Sequence, residues 1–336
     1  MLLYLLRVVR QKCFKQVKKI VENVPKTITK AIEKWNIDNI SRTVFYQEFF
    51  NRNPEIKWSF LAAMVSRNAG WSMTDLQGEW FPKAIKEEQL IKLFLAYERA
   101  NWIIFADAAP QLLLYELGKK ANTSFFHFGR DLGISCFMLE EWKTFLELGD
   151  QDRLMTALII NEQHVIEGPL MEHHLYAKKV FHSLLFTVQD WFHFSTVLFP
   201  TVRGELFGLS VSGFRHTRNR IKLGKSLAKL LFHPNYFSAF YHFAMKVAPT
   251  GSRYDYERFM GKRREGPMLR QVYPIIPHHQ QDKKDWFRGQ LLVKKMMKVE
   301  SELPDKVLIS DWYERKRSQI RIAMEVENLL IQKSRK

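Results

Sequence analysis

Apolar residues recur along most of this chain at spacings of three and four, the repeat of a helix buried on one face, and no run of strict alternation stands out. The first stripe is Leu2, Leu6, Val9, Cys13, Val17 and Ile20. At about 100° per residue these share one face. Arg7, Lys15, Lys18 and Lys19 fall on others, so the stretch predicts a basic amphipathic helix ending at Pro25. Ser41 or Asn39 suits the cap of a helix running to about Asn51, and Pro54 suits the first turn of another ending near Asn68. Ser66-Arg-Asn-Ala-Gly-Trp-Ser-Met-Thr-Asp75 then reads as a polar connection with an aromatic anchor. Held on a rigid scaffold, Arg67-Asn68 and Trp71 to Asp75 could line a pocket, although ordinary turn and cap chemistry explains the same residues.

A helix over Glu87 to Asp107 is followed by Pro110, which starts or kinks the next. Residues 134–148 and 151–167 form a helical pair separated by Gly149-Asp150, and Gly168-Pro169 opens a long helical stretch towards Pro200. Gly204, Gly208 and Gly213 loosen the pattern to a short strand or irregular turn. Helices resume at about 216–232 and 235–246. Pro249, Gly251, Gly261, Gly266, Pro267, Pro274 and Pro277 make residues 248–285 a long irregular arm, and helix returns from Asp311 to Gln332. The expected fold class is all-α: a bundle-like main domain over residues 36–247, a basic N-terminal helix within 1–35, and a helical C-terminal arm over 248–336 packing on the main domain.

Composition supports a folded core, because 46% hydrophobic residues with 26 Phe, 11 Tyr and 9 Trp exclude a disordered chain. Cys13 and Cys136 are the two cysteines, which gives no disulfide framework and no Cys-x-x-Cys metal motif, and fits a reducing compartment. The apolar start precedes its first basic residue, unlike a signal peptide. The longest stretch free of Asp, Glu, Lys and Arg is Leu230–Met245, too short to span a bilayer.

Charge changes the picture more. Residues 1–35 carry 9 Lys and Arg against 2 Asp and Glu, residues 36–202 carry 15 against 20, and residues 203–336 carry 28 against 13. Two basic ends flank a slightly acidic middle, which argues for an anionic partner. Arg218, Lys222, Lys225 and Lys229 stand at i, i+4, i+7 and i+11, within about 60° on a helix, with Leu223, Leu227, Leu230 and Leu231 opposite.

Three stretches carry a resemblance: Ser66 to Gly78, Glu98-Arg-Ala-Asn-Trp102 with Pro110-Gln-Leu-Leu-Leu-Tyr-Glu116, and Thr250-Gly-Ser-Arg-Tyr-Asp-Tyr-Glu257. They resemble the YppC-like family of bacilli, a domain of unknown function, over roughly residues 35–330. The resemblance implies a bacterial intracellular protein and carries over no catalytic residue.

The most suggestive chemistry is a Glu/His cluster: Glu162, His164, Glu167, Glu172-His-His174, His182, Gln189, Asp190 and His193, with Glu98 from another helix. Helical di-iron sites use paired Glu-x-x-His motifs. Here Asp190-x-x-His193 is the single acid-x-x-His match within the cluster, and His-Glu-x-x-His is absent. His182, Gln189 and His193 lie within about 20° of one line if helical. A satisfied structural network is the simpler reading, so no metal and no cofactor are expected. Gly208-Leu-Ser-Val-Ser-Gly213 has the wrong spacing for a nucleophile elbow, and Gly224-Lys-Ser226 lacks the first glycine of a phosphate loop.

The leading expectation is a non-catalytic, cytoplasmic interaction protein associating with an anionic surface, the inner face of the membrane, through Arg218, Lys222, Lys225, Lys229, Arg7, Lys15, Lys18 and Lys19. One alternative is a metal-dependent or small-molecule-binding enzyme using Glu98, Glu162, His164, His182, Asp190 and His193. The other is nucleic-acid binding through the 215–229 helix, which has no recognisable motif.

Overall fold

Helix dominates the computed structural model, which describes residues 23–167, 196–210, 216–261, 266–279 and 285–334. The elements in chain order are α1 Val24–Trp35, α2 Asn39–Arg52, α3 Lys57–Asp75, α4 Phe81–Ala84, α5 Glu87–Ala121, α6 Cys136–Leu148 and α7 Gln151–Val165. They continue with β1 Thr196–Pro200, β2 Leu206–Ser210, α8 Thr217–Leu231, α9 Phe237–Lys246, α10 Tyr254–Glu257, α11 Leu269–Val272, α12 Gln290–Met297 and α13 Ser310–Ser334. The all-α expectation holds, apart from one two-stranded antiparallel hairpin among the described residues.

Local signals explain many boundaries. Asp150 caps α7 by accepting from the Arg153 N–H at 2.9 Å, and Gly149 ends α6 with φ +70°. The cap of α2 is Asp38, which accepts from the Ser41 N–H at 2.7 Å, rather than Ser41 or Asn39. Asn39 is drawn away because its amide donates to Ser66. Pro25 begins α1 instead of ending a helix, and Val24 and Ile28 are buried in the same core as α2, α3 and α5. The Leu2–Ile20 stripe, with Arg7, Lys15, Lys18 and Lys19, lies outside the described residues.

The largest departure from expectation is Ser66 to Asp75, which is not a connection but the second half of α3. Helix α3 is the centre of the fold, flanked by α2, α5, α7, α8, α11 and β1. Of its 19 residues 15 are buried, so it has no solvent face, and burial overrides the poor helix propensity of Asn68, Gly70 and Ser72. Each polar side chain must then find a partner. Ser66 accepts from Asn39 and lies 2.7 Å from the Thr43 hydroxyl. Arg67 donates to Gln47 and to the Ala244 carbonyl. Asn68 accepts from the Leu198 N–H at 2.8 Å and donates to the Leu198 carbonyl at 2.9 Å, pairing with β1 as a neighbouring strand would. Trp71 donates to Asp255, Thr74 to the Gly251 carbonyl, and Asp75 accepts from Arg253.

The first and third family-like stretches are therefore one interlocked unit, α3 against the Thr250–Glu257 turn. Gly70 permits the approach, since a Cβ there would sit 2.8 Å from Asn39 Oδ1 and 3.2 Å from Gly251 Cα. From this unit Tyr256 reaches the Tyr313 hydroxyl at 2.7 Å, which ties in α13.

Two further expectations change. Helix α5 continues through Pro110. An interior proline costs roughly 3 kcal/mol, here outweighed by the fully buried Phe105, Ala109 and Leu112 on either side. Residues 196–200 form β1 rather than the end of a helix. Its partner β2 is bordered on the other edge by residues 307–309, through Gly208 N–H to Val307 O and Ile309 N–H to Leu206 O. Among the described residues no helix is long and apolar enough to cross a membrane.

Two substitutions test the central helix by urea denaturation. Asn68→Ala strands the Leu198 amide and carbonyl and is expected to cost about 1–3 kcal/mol. Gly70→Ala, which in an open helix would stabilise by about 1 kcal/mol, is expected to destabilise. A gain in stability for Gly70→Ala would show that α3 and the Gly251 turn are not in close contact.

Candidate functional site: a cavity beside the central helix

Small residues recur on one face of α3: Ala62, Ser66, Ala69 and Ser72, at i, i+4, i+7 and i+10. The helices facing them do not close the space, which remains a cavity of about 190 Å³. Helix α2 contributes Arg42 and Tyr46 to its wall, α5 contributes Tyr97, Asn101 and Ile104, and α7 contributes Ile159, Glu162 and Gln163. Thr196 and Val197 of β1, Arg220, Leu223, Gly224 and Leu227 of α8, and Ile166 just past α7 also line it, with Leu61, Val65 and Asn68 beside the small residues of α3. Gly224 lets α8 pack directly on α7, because a Cβ would fall 2.7 Å from Ile159 Cγ2. The Gly224-Lys-Ser226 sequence is thus mid-helix packing and not a phosphate-binding loop.

The polar part of the wall is built on two buried arginines. Arg42 donates through Nη1 to Asn36 Oδ1 at 3.1 Å and through Nη2 to Glu98 Oε1 at 2.5 Å, while its Nε has no hydrogen-bond partner. Arg220 donates through Nε to Gln163 Oε1 at 3.0 Å and lies 3.8 Å from Glu167. Tyr46 is 3% exposed and its hydroxyl has no hydrogen-bond partner. Burial, with the Glu162 charge adding, raises the Tyr46 phenol well above its ordinary value, so it stays a neutral donor. Glu162 accepts from the Gln163 amide at 3.2 Å. Burial pushes its carboxyl up to about 7, against the opposing pull of the Trp58 indole N–H and of Arg220. The cavity thus combines an apolar lining, unmatched donors and a carboxyl that holds or releases a proton near neutrality.

The structure separates the expected Glu/His cluster. Glu98 stands behind the cavity wall, paired with Arg42 and 3.8 Å from His278 Nε2. Glu162 lines the cavity. His164, two positions on and so on the other side of α7, stacks on Trp286 at 4.0 Å with Nε2 3.1 Å from Met296 Sδ, and burial lowers its pKa. His182, Asp190 and His193 lie outside the described residues, as do Glu172, His174 and Gln189. Among the described residues no three His, Cys, Asp or Glu side chains form a group that could hold a metal ion. Neighbouring Asn161 belongs to a buried network: it donates to Asp107, which also accepts from Gln111, and it accepts from Ser135 and Trp286.

On the basic face, Arg218 and Lys222 are exposed. Lys225 donates to the Met297 and Val299 carbonyls, and Lys229 donates to the Ser301 carbonyl. Segment 297–301 therefore engages two of the four cations. No motif singles out Arg42, Tyr46 or Arg220. Their signal is periodic: Arg42 shares a stripe with Phe45, Tyr46 and Phe49, and Arg220 shares one with Leu223, Leu227 and Leu231. A basic residue in an apolar stripe points inward.

The raised Glu162 carboxyl has a stability consequence. A carboxyl whose folded pKa exceeds its unfolded value binds its proton more tightly when folded. Its contribution is complete below the ordinary value of 4.5 and is lost as pH rises through about 7. Glu162→Gln removes this dependence, so its melting temperature relative to the parent is expected to climb between about pH 5 and about pH 8. A difference that stays constant over that range would contradict the raised carboxyl.

Comparison with known proteins adds lineage. No solved structure matches this chain. It is 48% identical over 297 residues to the uncharacterized protein YppC of Bacillus subtilis (strain 168), covering 88% of this chain and 92% of that protein. A family described as "Protein of unknown function (DUF2515)" matches residues 34–314, which hold the whole cavity wall and the interlocked α3 and Thr250–Glu257 stretches. The chain belongs to the DUF2515 family.

Proposed function

We propose that this protein is a binding protein for a small organic molecule held in the cavity between α2, α3, α5, α7, α8 and β1. The observation that carries the reading is the buried Tyr46 hydroxyl, unpartnered within the cavity wall. Leaving a buried donor unmatched costs about 1–3 kcal/mol, which a ligand oxygen would recover. The volume suits a compact ligand, since a cavity of about 150 Å³ accepts benzene. Glu162 supplies a proton-holding group against the ligand. Ala69, half-buried in the wall, gives the test. Ala69→Leu fills the space and is expected to keep or raise the melting temperature. In a thermal-shift screen of small organic molecules the parent is expected to be stabilised by binders that leave the variant unmoved. Equal shifts in both proteins would place binding elsewhere.

A second reading, association with an anionic surface, rests on the exposed Arg218 and Lys222 of α8 in a segment where Lys and Arg outnumber Asp and Glu 28 to 13. Lipid of the inner membrane face is the simplest such surface, and the N-terminal cations Arg7, Lys15, Lys18 and Lys19 would act with it. Reversing both α8 charges, Arg218→Glu with Lys222→Glu, is expected to weaken binding to phosphatidylglycerol vesicles and flatten its salt dependence. Unchanged vesicle binding would leave the face as solvated surface. Loss of duplex DNA affinity with a smaller salt slope would favour nucleic acid instead.

A further inference from the structure

Resting on the cavity reading above, we infer that the ligand is a small carboxylate with an apolar body, its carboxylate seated between the Tyr46 hydroxyl and Arg42 Nε and its body against Ile104, Ile159 and Leu223. The argument begins with what the wall lacks. Arg42 and Tyr46 stand at i and i+4 on α2, so their side chains are neighbours on one face. Each brings a polar group without a hydrogen-bond partner, Arg42 Nε–H and Tyr46 O–H, although the two residues are 1% and 3% exposed. Both donate, so the complementary group is an acceptor with two lone-pair directions, and a carboxylate presents two oxygens.

Charge narrows the class further. Nη2 of the Arg42 guanidinium already meets Glu98, and Arg220 faces Glu167 at 3.8 Å. The wall can therefore accommodate a single added negative charge better than the two of a phosphate. Glu162 is the group that an incoming anion would oppose, and its carboxyl is pushed up to about 7, so it can keep its proton beside the ligand. Most of the remaining cavity surface is apolar, with Ile104, Ile159, Leu223 and Leu227 in the wall, which calls for an apolar body rather than a polyhydroxylated one.

Isothermal titration of the full chain with benzoate, benzamide and toluene separates the class from the cavity itself. Benzoate is expected to bind at least about tenfold more tightly than either neutral analogue. Tyr46→Phe is expected to weaken benzoate about 10- to 100-fold while leaving toluene unchanged. Without ligand the same variant is expected to melt at the parent's temperature or above it, since it removes an unmatched hydroxyl. A structural tyrosine would behave in the reverse way. Equal binding of benzoate and benzamide to both proteins would overturn the carboxylate class and leave the cavity reading standing. If none of the three probes binds, the carboxylate proposal falls. Destabilisation of the unliganded protein by Ala69→Leu would then overturn the cavity reading as well.

Discussion

A helix with no solvent face has to have its polar groups matched by the rest of the chain, and α3 carries Ser66, Arg67, Asn68, Ser72, Thr74 and Asp75 along its buried length. The matches come from four parts of the structure: α2 for Ser66, α2 and α9 for Arg67, β1 for Asn68, and the Gly251–Arg253 turn for Thr74 and Asp75. Apolar burial alone is non-directional and tolerates sliding. Hydrogen bonds to a central helix do not, so this set fixes the register of four segments around one axis. Asn68 shows the logic most directly. Its amide completes the hydrogen bonding of β1, and the hairpin is docked where a third strand would otherwise pair.

The same helix creates the cavity. Along its cavity face run the short side chains of Ala62, Ser66, Ala69 and Ser72, with Leu61, Val65 and Asn68 beside them, while the opposite face carries the fully buried Phe60 and Trp71. Packing and site are therefore two faces of one element. A wall anchored on a buried helix that is hydrogen-bonded to α2, α9, β1 and the Gly251 turn is held in place, which is what pre-organised recognition of a small ligand requires.

Interior arginines are the second organising device. Arg42 faces Glu98 and Arg220 faces Glu167, both with donors spread over neutral oxygens as well. Arg67 has no carboxylate within ion-pair distance in the described residues. Burial brings its guanidinium down to about 10 despite the nearby charge of Asp255. Such a group is costly unless its hydrogen bonds are met; the Ala244 carbonyl and Gln47 both accept from Nη2, while Nε and Nη1 have no hydrogen-bond partner. The basic character visible along the chain is thus partly internal. Lys225 and Lys229 follow the same pattern on α8, where backbone carbonyls of residues 297–301 take up their amines.

By itself the sequence determined the helical class, the α6–α7 pair around Gly149-Asp150, helices α8, α9 and α13, and the segregation of charge. Periodicity, capping and breaking act between residues a few positions apart, so they are legible without a partner. The tertiary structure alone decided that Ser66 to Asp75 is helical, that α5 runs through Pro110, that residues 196–200 pair as a strand with the short strand legible near Gly208, and that Arg42, Tyr46, Glu162 and Arg220 meet around one cavity. Those outcomes depend on burial and on bonds such as Asn68 to Leu198, 130 positions away. Local propensity carries no record of a partner that distant, and the energy of satisfying a buried polar group exceeds the fraction of a kcal/mol by which local preferences differ.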